Sequence, residues 1–373
     1  MSTKVLKLES SRDYGDAIRE AAGCLASGGL VVFPTETVYG LGADATNSAA
    51  LKRLRAVKQR DDGKPFTAHI GSRSAVDRFV PEISGLARRL IEKAWPGPLT
   101  VIFQVNDVAA AAVVQQSSLE HAQALYHEGT IGIRCPDDRN ALSLLNQAGV
   151  PVVASSANPA HAPPPVDAEA ALATLDGQVD LVLDAGRTRY ARPSTIVQVN
   201  GNNVRVLREG VIDERTVRRL TQVNFLVICS GNTCRSPMAE GLLRRLLAER
   251  LGCSESELAA RGYYVESAGV SAYPGMGPTP AGVQALKKRG IDISNHRSRP
   301  LTLDQVNRAD YIFTMTDKHL DAVLRLNPQA AERTRRIADG NIEDPIGESG
   351  DVYDQCAAQL EEALRSRLQE ITL

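Results

Sequence analysis

The sequence predicts an α/β protein of two domains, an N-terminal twisted mixed sheet with flanking helices and a C-terminal doubly wound parallel sheet. Three observations predict it. The 373 residues exceed one ordinary domain of ~100–200 residues. Short β-branched runs alternate with helical patterns along the whole chain. From Val223 onward that alternation becomes regular, and strand–helix–strand repeats need crossover helices and hence parallel pairing. The expected division is a first domain over 1–212, a polar helical linker over 213–222 and a second domain over 223–373.

The elements follow in order. The first buried run is Gly28–Phe33, closed by Pro34, and further strands are expected at Leu99–Val105, Thr130–Cys135, Val150–Ala154, Asp180–Asp184, Ser194–Val199 and Val204–Leu207. Helical patterns separate them at Tyr14–Ala26, Ala50–Val57, Leu86–Ala94 and Asp167–Leu175. Short, β-branched strands of this kind pack as a twisted mixed sheet covered by helices. In the second domain, strand Phe225–Ile228 leads to helix Pro237–Leu251, strand Tyr263–Glu266 to helix Pro280–Arg289, and strand Tyr311–Thr314 precedes a last helix from Val352 to Glu370. A ligand site in such a sheet lies at the carboxyl ends of the strands, and the first of them ends at Cys229.

Composition excludes several classes. There are 43 basic and 44 acidic residues, a net charge of -1, so no bulk electrostatic attraction to nucleic acid or an acidic membrane operates. With 43% hydrophobic residues the chain has ample core material and is not disordered. No run approaches ~18 uninterrupted apolar residues, and Met1–Glu9 lacks the apolar core of a signal peptide, so no membrane association and a cytoplasmic location are expected. Six cysteines are too few for a disulfide scaffold. Cys24, Cys135, Cys253 and Cys356 read as buried thiols, and no His or Cys pairing has zinc-ligand spacing.

Cys229-Ser230-Gly231-Asn232-Thr233-Cys234-Arg235-Ser236-Pro237 reads as a phosphate cradle holding a thiol. A buried strand delivers Cys229 to a tight loop, and a helix is expected to start at Ser236 or Pro237, with serine as cap and proline in the first turn. Gly231 and Asn232 tolerate left-handed backbone angles. The loop can therefore turn its N–H groups inward on the positive end of a helix, and Arg235 adds a bidentate donor for a phosphoryl group. The same field favours thiolate, so the Cys229 pKa is expected to fall well below the free value of ~8.5, making it a nucleophile for a thiophosphate intermediate. Ser236 can donate to the departing sulfur. Asp344-Pro345 supplies a carboxyl group in a non-helical loop as proton donor. Read alone, the spacing is also that of a strand-end cysteine with an incidental serine and arginine, and the Asp-Pro pair that of a turn.

From about Asn224 to the C-terminus the chain resembles the low-molecular-weight protein tyrosine phosphatase family. Further matches are Ser267-Ala268-Gly269, Gly290 to Ser298, Met315-Thr316 and Asp344-Pro345. The resemblance implies Cys229 as nucleophile, Arg235 as phosphate binder, Asp344 as general acid and no cofactor, with Cys234 able to trap an oxidised Cys229 as a reversible disulfide. Thr233 stands where the family's tyrosine phosphatases usually have an aliphatic residue and its protein-arginine phosphatases have threonine. Ile346-Gly347 follows Asp344-Pro345 in place of paired aromatics, and also in place of the phenylalanine of the arginine-phosphatase pattern. Phosphoarginine or a general phosphomonoester is expected ahead of phosphotyrosine, and the choice stays open.

The first domain has neither a Walker loop nor G-x-G-x-x-G. It has polar clusters at strand ends: Pro34–Gly42, Lys58-Gln59-Arg60, Ser155–Asn158 and Arg192–Thr195. Each has a structural reading as a turn or cap. Together they are complementary to a nucleotide. Lys58 and Arg60 are cations for a polyphosphate, Ser156, Asn158 and Ser194 are small donors, and Thr35, Thr37 and Tyr39 can hold a small polar substrate. With Trp95–Thr100, Ile133–Pro136 and Ser194–Val197 these clusters resemble the YrdC-type threonylcarbamoyl-AMP synthase family over about residues 10–212. The resemblance implies condensation of L-threonine, bicarbonate and ATP, with Mg²⁺, into threonylcarbamoyl-adenylate and pyrophosphate for a tRNA modification. Arg134 would assist at the threonine site. The chain departs from the family at Pro159-Ala160-His161, where Ser-Gly is common, and at Pro193, where some members have glutamate. The alternative is a module that binds double-stranded RNA or nucleotide without catalysis. tRNA or tRNA-modification proteins and a phosphorylated protein are the expected partners.

Overall fold

Runs of β-branched residues that are apolar on both sides must be covered on both faces, and the computed structural model shows how. It describes residues 2–8, 14–59, 66–116, 125–201 and 203–371. These form two compact units, Met1–Thr221 and Gln222–Leu373.

The first unit contains β1 (Lys4–Lys7), α1 (Tyr14–Ala26), β2 (Val31–Phe33), β3 (Gly40–Asp44), α2 (Ser48–Val57), β4 (Thr67–His69), α3 (Gly85–Ala94), β5 (Leu99–Gln104), α4 (Ala112–Gln115), β6 (Thr130–Arg134), α5 (Arg139–Gln147), β7 (Val152–Ser156), α6 (Ala168–Leu175), β8 (Leu181–Asp184), β9 (Thr195–Asn200), β10 (Asn203–Arg208) and α7 (Glu214–Leu220). The strands make one sheet in the order β1-β8-β2-β3-β7-β4-β6-β5-β9-β10, mixing parallel pairs such as β5·β9 with antiparallel pairs such as β3·β7. Alternation along β2 shows the two-sided burial. Val31 and Phe33 face a core with α1 and α5, whereas Val32 faces the larger core with α2, α3 and α6. The stretch 213–222, expected as a linker, carries α7 capped by Asp213. Its Val217 is fully buried in the first unit's core. Strands β1, β3 and β4 and helices α4 and α5 lie outside the expected elements; β3 is hidden because Gly40-Leu41-Gly42-Ala43-Asp44 carries almost no β-propensity.

The glycines of β3 have a packing cause. Phe33 on the neighbouring β2 lies across them, and a Cβ on Gly42 would stand 2.9 Å from the Phe33 ring and 3.4 Å from Val152.

The second unit contains β11 (Val223–Cys229), α8 (Arg235–Leu251), β12 (Tyr263–Gly269), α9 (Pro280–Lys287), α10 (Leu303–Arg308), β13 (Tyr311–Thr314), α11 (Asp317–Leu326), β14 (Thr334–Arg336) and α12 (Gly350–Gln369). Its sheet runs β12-β11-β13-β14 and is wholly parallel. Along β11, Phe225, Val227 and Cys229 face the core built with α8, α9 and α12, and Leu226 and Ile228 face the smaller one beneath α10 and α11. Helices on both faces make this the doubly wound sheet expected, and its order reverses around β11, so the crevice opens at the carboxyl end of that strand.

Gly42→Ala is expected to destabilise the first unit by roughly 1–3 kcal/mol, because the enclosed Phe33 ring has no room to yield. Urea unfolding of the full chain measures it. A midpoint equal to that of the wild type would show that the ring gives way freely.

Candidate active sites

In the second unit Cys229 ends β11, 2% exposed, and α8 begins at Arg235. The expected helix start is corrected here. Cys234 occupies the cap position without a capping side-chain bond, because Ser236 turns inward instead. Its hydroxyl lies 2.9 Å from Cys229 Sγ and accepts from Asn232 Nδ2 at 2.9 Å. Asn232 alone of the loop's non-glycine residues is left-handed (φ 55°), and Gly231 keeps an ordinary φ. That turn lets the Asn232 N–H donate to the Cys229 sulfur at 3.2 Å. The fully buried Asn232 side chain also donates to Ser267 Oγ at 2.9 Å and accepts from Arg299 N at 2.9 Å, while its carbonyl lies 2.9 Å from His296 Nε2. Ser267 and His296 were quoted as matches in the sequence without a role. Their role is to hold the strained turn.

Arg235, 4% exposed, donates from Nη1 to Ile342 O at 2.8 Å and from Nη2 to Ser230 Oγ at 3.3 Å. Nη2 also makes an ion pair with Asp344. The structure thus brings Cys229, Arg235 and Asp344 to one place. Arg235 Nε is buried with no partner, and an orphaned charged donor of this kind fits a phosphoryl oxygen. Thr233 lies on the loop rim, its carbonyl accepting from Thr279 N at 2.9 Å. Cys234 Sγ is 3.6 Å from Thr233 Oγ1 and 3.6 Å from Tyr353 Oη.

The expectation of a strongly depressed thiol is corrected for this arrangement. Burial is the largest influence on Cys229 and pushes its pKa up, while the Ser236 hydroxyl, the Ser236 and Asn232 amides and Arg235 pull it down. Burial prevails over these four influences. Of the other thiols, Cys135 and Cys356 are buried as expected, but Cys24 and Cys253 are partly exposed.

The first unit has a cavity of about 510 Å³ lined by Thr35, Tyr39, Arg134, Ser156 and Ser194. Five residues named from the sequence therefore meet in one place. Arg134, 5% exposed, donates to Glu36 Oε1 at 2.8 Å and to Thr37 Oγ1 at 2.7 Å. Thr37 lies 2.9 Å from Thr35. Tyr39 borders the cavity, but its hydroxyl is committed to backbone. It donates to Gly186 O at 2.7 Å and accepts from Ala185 N at 3.1 Å, and burial pushes its pKa up to about 12. Lys58 is buried under the end of β7, where its ammonium donates to Ser156 O at 2.7 Å and to Asn158 O. Here it shapes the Ser156–Asn158 turn. Arg60 lies outside the described residues.

Two groups were missed. Glu36 is fully enclosed between the two threonines and pairs with Arg134; its signal was an acid inside an otherwise buried motif, since enclosed acids need a cation. Arg208 lines the cavity and donates from Nη2 to Ser194 O at 2.8 Å. A bulge between Val206 and Arg208 pairs Arg208 with Ile196 and re-aims it inward, which simple alternation does not reveal. Arg208 is exposed at the cavity rim, and partial desolvation, with Arg134 as the second cause, depresses its pKa.

Residues 23–210 match the family described as telomere recombination, and residues 224–372 the low molecular weight phosphotyrosine protein phosphatase family. The threonylcarbamoyl-AMP synthase of Chromohalobacter salexigens is 34% identical, over 50% of this chain and 94% of its own. The chain belongs to the threonylcarbamoyl-AMP synthase family and carries a low molecular weight phosphatase domain. The threonylcarbamoyl-AMP synthase of Bacillus subtilis is 34% identical over 54% of this chain and 55% of its own length. Among solved structures, a variant of Pyrococcus abyssi Sua5 shares the fold at 21% identity, with a TM-score of 0.51 over 90% of this chain and 98% of that one. The arginine phosphatase YwlE of Geobacillus stearothermophilus is 31% identical over 40% of this chain and 94% of its own, with a TM-score of 0.35.

The synthase cavity offers hydroxyls and guanidiniums, which suit phosphate oxygens. Its enclosed acid is taken by Arg134, and among the described residues no group of three or more His, Cys, Asp or Glu is placed to hold a metal ion. Mg²⁺ is ordinarily held by one or two carboxylates together with waters and substrate phosphates, so a triphosphate would bring the ion's remaining ligands with it. No helix among the described residues is long and apolar enough to cross a membrane. His69 borders the same cavity and is neutral, its pKa pushed down to about 3 by burial and by Arg134.

Two outcomes follow. Ser236→Ala removes a donor that favours thiolate, so the pH profile of Cys229 alkylation by iodoacetamide moves to higher pH and the rate near neutrality falls roughly tenfold; an unmoved profile would refute this role. His69 is depressed in the fold, so its contribution to stability is complete above its free value of ~6.5 and is lost as pH falls toward about 3. Between pH 7 and 4 the melting temperature of His69→Gln should therefore fall less steeply than that of the wild type; parallel curves would contradict the assignment.

Proposed function

We propose that the chain is bifunctional. The first unit condenses L-threonine, bicarbonate and ATP into threonylcarbamoyl-adenylate and pyrophosphate for tRNA modification. The second hydrolyses a phosphorylated protein through Cys229. The observation that carries the reading is that each unit buries an arginine, Arg134 or Arg235, whose Nε has no partner beside the residues the chemistry requires.

In the first unit, the threonine amine attacks the carbon of bicarbonate and water leaves, and an oxygen of the resulting N-carboxylate attacks the α-phosphorus as the bond to pyrophosphate breaks. Both reactants are anionic. Arg208 and Ser194 line the cavity for the phosphates and Ser156 for the nucleotide, with Asn158 in the turn that follows Ser156. Arg134 and Thr35 line it for the carbamoylated threonine, with Thr37 accepting from Arg134. Glu36 keeps Arg134 oriented, so the two guanidiniums remain aimed before substrate arrives.

In the second unit, a bound phosphoryl group competes with Asp344 for Arg235. The released Asp344 carboxylate takes up the proton that the Cys229 thiol gives up and passes it to the leaving atom, as the sulfur–phosphorus bond forms and the bond from phosphorus to the leaving group breaks. Water assisted by Asp344 then attacks phosphorus and frees the sulfur, which Ser236 stabilises. For the substrate, phosphoarginine or a general phosphomonoester is preferred over phosphotyrosine. Thr233 on the loop and Ile346, 62% exposed beside Asp344, support this, because no aromatic pair flanks the acid to sandwich a phenol ring.

Cys229→Ser should abolish phosphate-ester turnover, by at least ~10³-fold, and leave threonine- and bicarbonate-dependent pyrophosphate release intact. Lys58→Ala should do the reverse by dismantling the Ser156–Asn158 turn. Assaying phosphoarginine and phosphotyrosine peptides side by side tests the substrate. A strong preference for phosphotyrosine would overturn the assignment, and nucleotide or RNA binding with no pyrophosphate would reduce the first unit to a binding module.

A further inference from the structure

We infer that His319 is a positioning residue for phosphoryl transfer, holding Ser230 so that its hydroxyl receives and orients the Arg235 guanidinium. The inference rests on the phosphatase reading of the second unit. Three separate segments meet here: Ser230 directly follows the nucleophile, Arg235 opens α8, and His319 lies in the first turn of α11. His319 is 4% exposed, with Nε2 2.9 Å from Ser230 Oγ and Nδ1 3.0 Å from Thr316 Oγ1. Both ring nitrogens are engaged, so the ring is fixed in its plane.

The donors and acceptors are consistent along the whole line. Arg235 Nη2 can only donate, and Ser230 Oγ accepts it at 3.3 Å. Ser230 then either donates its own proton to Nε2 or accepts one from it, and the other ring nitrogen takes the complementary part with Thr316. A neutral imidazole satisfies either arrangement. Burial and the neighbouring Arg235 keep it neutral, pushing its pKa down to about 4, with Asp344 opposing.

The hold matters because Asp344 must let go. The Arg235 guanidinium is gripped at Nη1 by Ile342 O, at Nη2 by Ser230 and Asp344, and its Nε is unpartnered. Once Asp344 turns to the leaving group, Ser230 is the remaining side chain on Nη2 among the described residues. A Ser230 free to rotate would let the guanidinium tilt, and Nε would lose its aim. The effect should therefore fall on phosphoryl binding and on turnover together.

The test uses the full chain with p-nitrophenyl phosphate as substrate and inorganic phosphate as competitive inhibitor. His319→Ala should lower kcat/KM by about 10–30-fold and weaken phosphate inhibition by a similar factor. His319→Gln carries an amide to the place of Nε2 and should recover to within about threefold, whereas His319→Asn, which reaches only the place of Nδ1, should not. The Ser230→Ala, His319→Ala double variant should be no worse than Ser230→Ala alone. Should His319→Ala prove too unstable to assay, the Gln and Asn comparison carries the test. Unchanged kinetics in His319→Ala, equal rescue by Asn and Gln, or additive losses in the double variant would each overturn the inference with the phosphatase reading intact. A wild-type chain with no more turnover than Cys229→Ser would overturn that reading, and the inference with it.

Discussion

A guanidinium cannot be left bare in a protein interior. Transferring it from water costs several kcal/mol unless hydrogen bonds and an opposite charge replace the lost hydration. Both units are organised around this constraint. Arg134 is answered by Glu36 and Thr37, Arg235 by Asp344, Ser230 and Ile342 O. In each case the compensation is incomplete, because Nε is enclosed without a partner. An incompletely answered cation is stable enough to fold and still attractive to an anion, which is what a preorganised phosphate or carboxylate site requires.

The two counter-ions differ in a way that matches the chemistry proposed for each unit. The Glu36 side chain is 0% exposed and cannot leave Arg134 without stranding a buried charge. It is a permanent orienting group. The Asp344 side chain is 35% exposed on a loop, so its departure exposes a carboxyl group to water at little cost. A general acid has to exchange protons and partners in each cycle, and only the second arrangement permits it. At Cys229 burial outweighs the Ser236 hydroxyl, the Ser236 and Asn232 amides and Arg235, and pushes the thiol pKa up.

What could be read in advance followed from local chemistry, and what could not depended on long-range geometry. Strands β5, β6, β8, β9 and β13 and helices α1, α3 and α6 lie within about two residues of their expected spans, since periodicity and caps are local signals. Strand β3 was hidden because its glycines answer to Phe33 on another strand, a contact no window of sequence contains. Arg208 was hidden by a bulge that reverses its facing. Ser236 was given the common role of a serine before a helix, yet with Asn232 in a left-handed turn the hydroxyl is better used on Cys229 and Asn232. Cys229, Arg235 and Asp344 were legible because a thiol, a cation and an acid in those contexts have few other uses.

Lys58 and Arg208 show how residue type and position divide the work in the first unit. Both are cations near the same strand ends, and sequence pattern favours Lys58 for phosphate. An ammonium is a compact charge with three donors that suit converging carbonyls, and Lys58 is placed under the Ser156 and Asn158 carbonyls. A guanidinium is a flat fork matched to the paired oxygens of a phosphate, and Arg208 is the one that borders the cavity. The lysine's charge is compensated by backbone and builds the turn; the arginine's charge is opposed by Arg134 and calls for an anion. On the proposed reading, an anionic substrate bound beside both arginines relieves a repulsion that the folded chain carries alone.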